Sequence, residues 1–268
     1  MSRLLIANFA RLKKSKLFWC MVGLMFAFAL FRVINLLSFP DDPAIDSILF
    51  FYPLVIGIAI TLFISIFLGT EYSDGTIRNK LIVGHIRSYI YLSNFIVSIA
   101  AAFIMFVAYM LPIIVIGFPV FGLPTMGGAE YIGNLATSLL TLVAFCALHT
   151  MVSMIYSNKA GATAINLLVE FALLFVVLVL FGKLTAPELV PNYDNAGNII
   201  EYVSNPYYPS SIEKAIYQAI VDILPIGQAM QYGEYYASPI WRLVVCAVAV
   251  IVVCTIIGIV AFNKKNIK

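Results

Sequence analysis

Residues 48–69 read ILFFYPLVIGIAITLFISIFLG, twenty-two positions without one charged side chain. A bilayer core about 30 Å thick needs about 20 apolar residues in a helix rising about 1.5 Å per residue. The run is continuous rather than alternating, so it does not suit the strand of a closed barrel. Five further runs of the same kind lie at 17–38, 89–116, 132–156, 161–182 and 239–262, and the six together take up roughly half of the chain. Lipid offers the backbone no hydrogen-bond partner, which makes these segments helices. The expected fold is an all-α polytopic membrane protein, a single transmembrane domain over 1–268 with six transmembrane helices.

Composition agrees. The 268 residues are 62% hydrophobic and 11% charged, against about 45–50% and about 25% in soluble domains. A soluble particle could not solvate so much apolar surface with so few charges. That excludes a soluble enzyme, a disordered tail and a disulfide scaffold. A net charge of +3 is too mild to point to nucleic acid. Cys20, Cys146, Cys246 and Cys254 sit inside apolar runs without metal-ligand spacing and read as small buried hydrophobes. The run 17–38 is too long for a signal-peptide core and has no small-x-small cleavage site after it, so it reads as an uncleaved span.

Basic residues set the orientation. Arg3, Arg11, Lys13, Lys14 and Lys16 precede the first span, and Arg78, Lys80 and Arg87 lie between the second and third. Lys159 separates the fourth and fifth, while Lys264, Lys265 and Lys268 follow the sixth. The loops 39–47 and 117–131 contain no Lys or Arg, and 183–238 holds Lys183 and Lys214 against six acids. By the positive-inside rule both termini are expected in the cytoplasm.

Three segments between spans carry their own pattern. In 2–14, Leu5, Phe9 and Leu12 share one face opposite Arg3, Arg11 and Lys14, as in an interfacial helix on an anionic leaflet. Residues 210–224 make an amphipathic helix with Ser210 and Glu213 at capping-box spacing and Ile212, Ile216, Ile220 and Ile223 along one side. Tyrosines 193, 202, 207, 208, 217, 232, 235 and 236 surround it, a density that suits the headgroup interface. The loop 70–88, TEYSDGTIRNKLIVGHIRS, is far longer than a turn requires. Asp74 is placed to cap a short helix there and Gly84 to end it, with Ile77 and Leu81 on one face and Arg78, Asn79 and Lys80 elsewhere. Such a helix suits docking into a partner's groove, or merely lying on the surface.

Polar residues inside the spans are few. Glu170 stands mid-span, where a carboxylate costs about 2.5–3.5 kcal/mol, so it faces protein or a cavity or is protonated. It and Arg32, which is near enough to a span end to snorkel, are the candidate transport-pathway residues. Asn35 and Asn166 are placed to bridge helices, and His149 reads as a packing residue. Pro112, Gly117, Pro119 and Gly122 predict a kinked end of the third span. No phosphate-binding loop, H-E-x-x-H or G-x-S-x-G occurs. Asp74–Arg78 superficially resembles the motif of phospholipid-head transferases but lacks their metal-holding aspartates. The chain therefore reads as no enzyme, with no catalytic, cofactor or metal residues of its own.

The stretch EYSDGTIRNKLIVGHIRSYIYLSN resembles the permease subunits of type-2 ABC transporters, in the bacterial branch related to bacitracin, lantibiotic and small-peptide exporters. Glu71, Gly75, Thr76, Ile77, Arg78, Asn79, Lys80, Leu81, Arg87, Tyr91, Leu92 and Ser93 match the family's run, while His85 departs slightly. The basic amino end with Phe18-Trp19, the Leu224-Pro225-x-Gly227-Gln228 segment and the Lys-rich tail are similar as well. The resemblance implies a coupling helix seated on a separate ATPase subunit, which would hold ATP and Mg. Arg78, Lys80 and Arg87 would then pair with its acids, Ile77 and Leu81 would fill its groove, and Glu71 and Asp74 would fix the entering turn. It further implies a homodimer in the bacterial plasma membrane, exporting an amphipathic or antimicrobial peptide. Two alternatives stay open: an ion-coupled secondary transporter using Glu170, and a membrane immunity or scaffold protein that transports nothing.

Overall fold

The computed structural model describes residues 1–38, 45–193, 199–233 and 238–266. Asp194, Glu234, Tyr235, Tyr236 and Lys268 lie outside the described residues. Among the described residues six helices are long and apolar enough to cross a membrane, and the chain is a multi-pass membrane protein.

Helix α1 (Ser2–Lys14) leads into α2 (Lys16–Ser38), the first span. Ser15 between them takes an extended conformation, and its hydroxyl accepts from the Phe18 amide. That satisfies one of the free amides at the start of α2. A short α3 (Ile45–Leu49) precedes α4 (Tyr52–Ser73), so the second span is displaced from the expected 48–69. Pro53 sits in the first turn of α4, where its missing N–H costs nothing, and the helix starts there. At its other end Thr70 and Ser73 donate to the Ile66 and Gly69 carbonyls and carry the helix past Gly69.

Next come α5 (Thr76–Ile82) and α6 (Arg87–Pro112). The latter continues through a π-helical turn, Ile113–Gly117, into α7 (Phe118–Phe121). Pro112 lacks the donor that the regular ladder needs, and the widened turn follows directly after it. Two long helices follow, α8 (Gly128–Ile155) and α9 (Lys159–Leu184); Asn158 caps the second by accepting from the Ala160 amide. The 183–238 segment is not wholly helical: Leu189–Tyr193 (β1) and Ile199–Ser204 (β2) form an antiparallel hairpin, pairing Leu189 with Ser204 and Val190 with Val203. Helices α10 (Ser211–Ile223), with the expected capping box, and α11 (Pro225–Gly233) lead to the last span, α12 (Ile240–Lys264).

Helices α4 and α8 are the most enclosed spans and pack on each other; α9 lies on α4, α12 on α8, and α2 on α6. Lipid tails are as apolar as leucine, so packing and polar contacts hold such a bundle together. Buried and half-buried tyrosines supply several of these contacts. Tyr52 shares a hydrogen bond with Ser138 at 2.6 Å, Tyr72 donates to the Met154 carbonyl at 2.7 Å, and Tyr109 donates to the Ile48 carbonyl at 2.6 Å. The last bond ties α3 to α6. Tyr109→Phe leaves the Ile48 oxygen unpaired in a buried site and is expected to cost about 1–3 kcal/mol. At about 2–4 °C per kcal/mol, this is readable as a lower Tm of the detergent-solubilised protein.

Candidate functional site

Helix α1 and the end of α12 lie at one end of the bundle, together with the α4–α5–α6 connection. At the end of α4, Gly75 adopts φ +68° and turns the chain straight into α5. Gly84, at φ +89°, closes α5: its amide bonds the Leu81 carbonyl, and the His85 amide bonds that of Lys80. This is a Schellman ending, which satisfies the last carbonyls and needs a left-handed residue. Helix α5 has no side-chain cap; Asp74 ends α4 instead of starting α5.

Beneath this turn lies a buried polar cluster centred on Glu71, which is 1% exposed. One carboxylate oxygen is ion-paired with both Arg11 of α1 and Lys80 of α5. The other accepts from Asn94 Nδ2 of α6 at 2.8 Å. Asn8 closes the network: it accepts from Lys80 Nζ at 2.9 Å and donates to Asn94 Oδ1 at 2.7 Å and Ser93 Oγ at 3.1 Å. The Arg11 guanidinium also lies 3.6 Å over the Phe67 ring. Burial pulls both the Arg11 and Lys80 pKa values down, and Glu71 acts against that by favouring the charged forms.

The cluster revises several expectations. Helix α1 buries Leu4, Asn8 and Leu12 and leaves Phe9 exposed, because the Asn8 amide is drawn inward by Lys80, Ser93 and Asn94. Lys80 spends its charge on Glu71 and is not free for a partner's acid. Ile77 is wholly buried and Leu81 half-buried, so both pack toward the bundle. Arg87 is occupied too, donating to the Phe262 carbonyl at 2.9 Å and to that of Lys265, at the end of α12. Lys265 donates to the Met154 carbonyl at 2.9 Å and stands 4.0 Å over the Tyr72 ring, with burial lowering its pKa to about 8.

What remains outward is a compact patch. Asp74, Arg78 and Asn79 are exposed, and Ile82, Val83 and Ile86 show 71%, 77% and 59% of their surface. Gly75 and Thr76 are half-buried at its edge. A cleft of about 360 Å³ adjoins it, lined by Tyr72, Ser73, Gly75, Ile77, Arg78 and residues of the α8–α9 connection and the carboxyl tail.

The two candidate pathway residues are not brought together with this patch. Arg32 stands 5.1 Å over the Phe51 ring, toward the opposite end of the first span. Glu170 is buried between α9 and α8, where its Oε2 lies 3.0 Å from His149 Nε2. His149 is therefore no lone packing residue: its Nδ1 lies 2.9 Å from Asn166 Oδ1, and its ring stacks on Phe145. Among the described residues Asn35 bonds within its own helix, to the Phe31 carbonyl.

At the far end, buried Asp222 is paired with Arg242 at 2.6 Å and accepts from Gln218, Gln231 and Ser238. Gln228 reaches from α11 to the Asp222 and Leu243 carbonyls and accepts from Thr141 of α8. Tyr232 is buried and does not join an interfacial belt, whereas Tyr207 is 87% exposed. The isoleucines of α10 face outward. A cleft of about 510 Å³ at this end is lined by Lys183, Tyr207, Tyr208, Glu213 and Tyr217 among others.

A scan against protein-family models finds no match, and a search of the curated proteins likewise finds none.

The Glu71 geometry makes a graded prediction. Glu71→Ala leaves the half-buried Arg11 and Lys80 without their shared counter-ion and is expected to cost about 1–3 kcal/mol. Lys80→Met leaves the carboxylate paired with Arg11 and Asn94 and should cost clearly less. Thermal unfolding in detergent compares the two, and equal losses would show that the carboxylate is not the hub.

Proposed function

We propose that this chain is the membrane-spanning subunit of an ATP-driven exporter, energised by a separate ATPase that docks on α5. The observation that carries this reading is the outward patch of Arg78, Asn79 and Ile82 on a short helix whose other side is fixed by Glu71, continued by Val83 and Ile86 just beyond it. An exposed patch combining a guanidinium with three aliphatic side chains fits a groove with an apolar floor and an acidic rim. The resemblance of 71–94 to type-2 permeases supplies the partner's kind. In this reading ATP and Mg reside on the partner, two copies of the chain pair about a two-fold axis, and both termini with α5 face the cytoplasm of a bacterial plasma membrane. The cargo is an amphipathic or antimicrobial peptide, a choice supported by the family branch alone. Closure of the ATPases would shift the bundle between states of different affinity for that cargo.

A second reading, an ion-coupled carrier, is favoured by the buried His149–Glu170 contact. It requires transport that continues without any ATPase and stops in Glu170→Gln.

The docking patch has a direct test. Arg78→Glu combined with Ile82→Asp changes two exposed side chains and spares Lys80, so the fold should hold within about 0.5 kcal/mol. Affinity purification with mass spectrometry should recover a nucleotide-hydrolysing subunit with the unaltered chain and lose it with the double variant. Failure to recover such a subunit, or export undiminished in the variant, would sink the proposal.

A further inference from the structure

His149 on α8 and Glu170 on α9 are both fully buried, with Nε2 and Oε2 3.0 Å apart. The proton content of this contact follows from its neighbour. Asn166 Nδ2 bonds the Ala162 carbonyl at 2.8 Å and Ser153 Oγ at 2.9 Å. A backbone carbonyl only accepts, so the amide NH2 must lie there, and Oδ1 must face His149 Nδ1 at 2.9 Å. Nδ1 then has to donate, and so it carries a proton.

A neutral imidazole has a single N–H. With that proton on Nδ1, Nε2 is a bare lone pair aimed at a carboxyl oxygen. Two acceptors in contact in a dry interior repel. The contact is a hydrogen bond only if one more proton sits within it. That proton is either on Nε2, giving an imidazolium beside a carboxylate, or on Oε2, giving a carboxylic acid that donates to a neutral ring. Both arrangements carry no net charge, as the bilayer interior favours.

We propose that His149 and Glu170 together bind one proton inside the membrane-spanning bundle and that this proton clamps α9 to α8. The charged side chains of the surrounding elements stand toward the helix ends: Glu71 on α4, Arg87 on α6, Glu130 on α8, Lys159 and Lys183 on α9, Glu213, Lys214 and Asp222 on α10, and Arg242 and Lys264 on α12. The other titratable groups on these elements are tyrosines and cysteines: Tyr52 and Tyr72 on α4, Tyr89, Tyr91 and Tyr109 on α6, Tyr131 and Cys146 on α8, Tyr217 on α10, Tyr232 on α11, and Cys246 and Cys254 on α12. Loss of the proton sets the carboxylate against the ring's lone pair. Moving the ring proton to Nε2 would rescue the contact only if the Asn166 amide turned over and gave up the Ala162 carbonyl. The proton is thus coupled to the seating of one span on another, whichever energy source drives transport.

The chain has only two histidines, His85 and His149, so His85→Gln isolates the second. The test is nitrogen NMR of ¹⁵N-histidine-labelled His85→Gln protein in lipid nanodiscs, paired with infrared spectroscopy. The expected result is a protonated Nδ1 at neutral pH. It should be accompanied either by a protonated Nε2 or by a carboxylic-acid C=O band that is lost in Glu170→Gln. Labelling with ¹³C-glutamate shifts the same band without any substitution, which keeps the infrared arm usable if Glu170→Gln fails to fold. A bare Nδ1 with the proton on Nε2 and no acid band leaves the pair at a charge of −1 and overturns the proposal. So does a protonated Nδ1 with a bare Nε2 and no acid band.

Discussion

The structure depends on one carboxylate. Glu71, at the end of α4, is out of water and bonded by side chains from α1, α5 and α6. Removing such a group from water costs several kcal/mol, and only a full set of partners returns that energy. Two cations and an amide supply it. The arrangement is selective as well as cohesive: with Arg11 drawn in, α1 cannot rotate, and with Lys80 drawn in, α5 has a single face left for the outside.

A similar device operates at the opposite end. Asp222 gathers Arg242, Gln218, Gln231 and Ser238, and Gln228 links the same region to Thr141 on α8. Helix α11 is held there among α4, α8 and α9. Each end of the bundle is thus organised by a buried acid and its cation, while the intervening spans touch through aromatic rings, tyrosine hydroxyls and the His149–Glu170 pair. The break in this regularity is the π-helical turn after Pro112, where α6 leaves its ladder before reaching α7.

The spans were legible because a lipid-facing helix leaves no alternative to a long uncharged run, and all six appear near their expected positions. Their ends were less so. The sequence shows Pro53 but not whether the helix starts at it or passes through it. The two-faced character of α5 could be read from Ile77 and Leu81; which face turns inward could not, because Lys80 finds Glu71 across a turn and Asn8 from a helix 72 positions away. Counting basic residues leaves Lys80 and Arg87 as free surface charges, yet a buried acid and a helix terminus claim them. The His149 pair had a usable signal. His149 and Ser153 stand four apart on one helix, Asn166 and Glu170 four apart on the next, and two polar stripes in adjacent spans belong together. The β-hairpin, by contrast, contains Pro191 and exposed strands without alternation, so nothing in its pattern announced it.

Arg87 is the first residue of α6 and grips the last carbonyls of α12, while Lys265, just beyond α12, reaches across to the end of α8. A push on α5 therefore does not slide one rod through the bilayer. It bears at once on the feet of three spans, and the load spreads sideways before it travels along any of them. The three feet are bound to one another, so none of these spans can shift at that end alone.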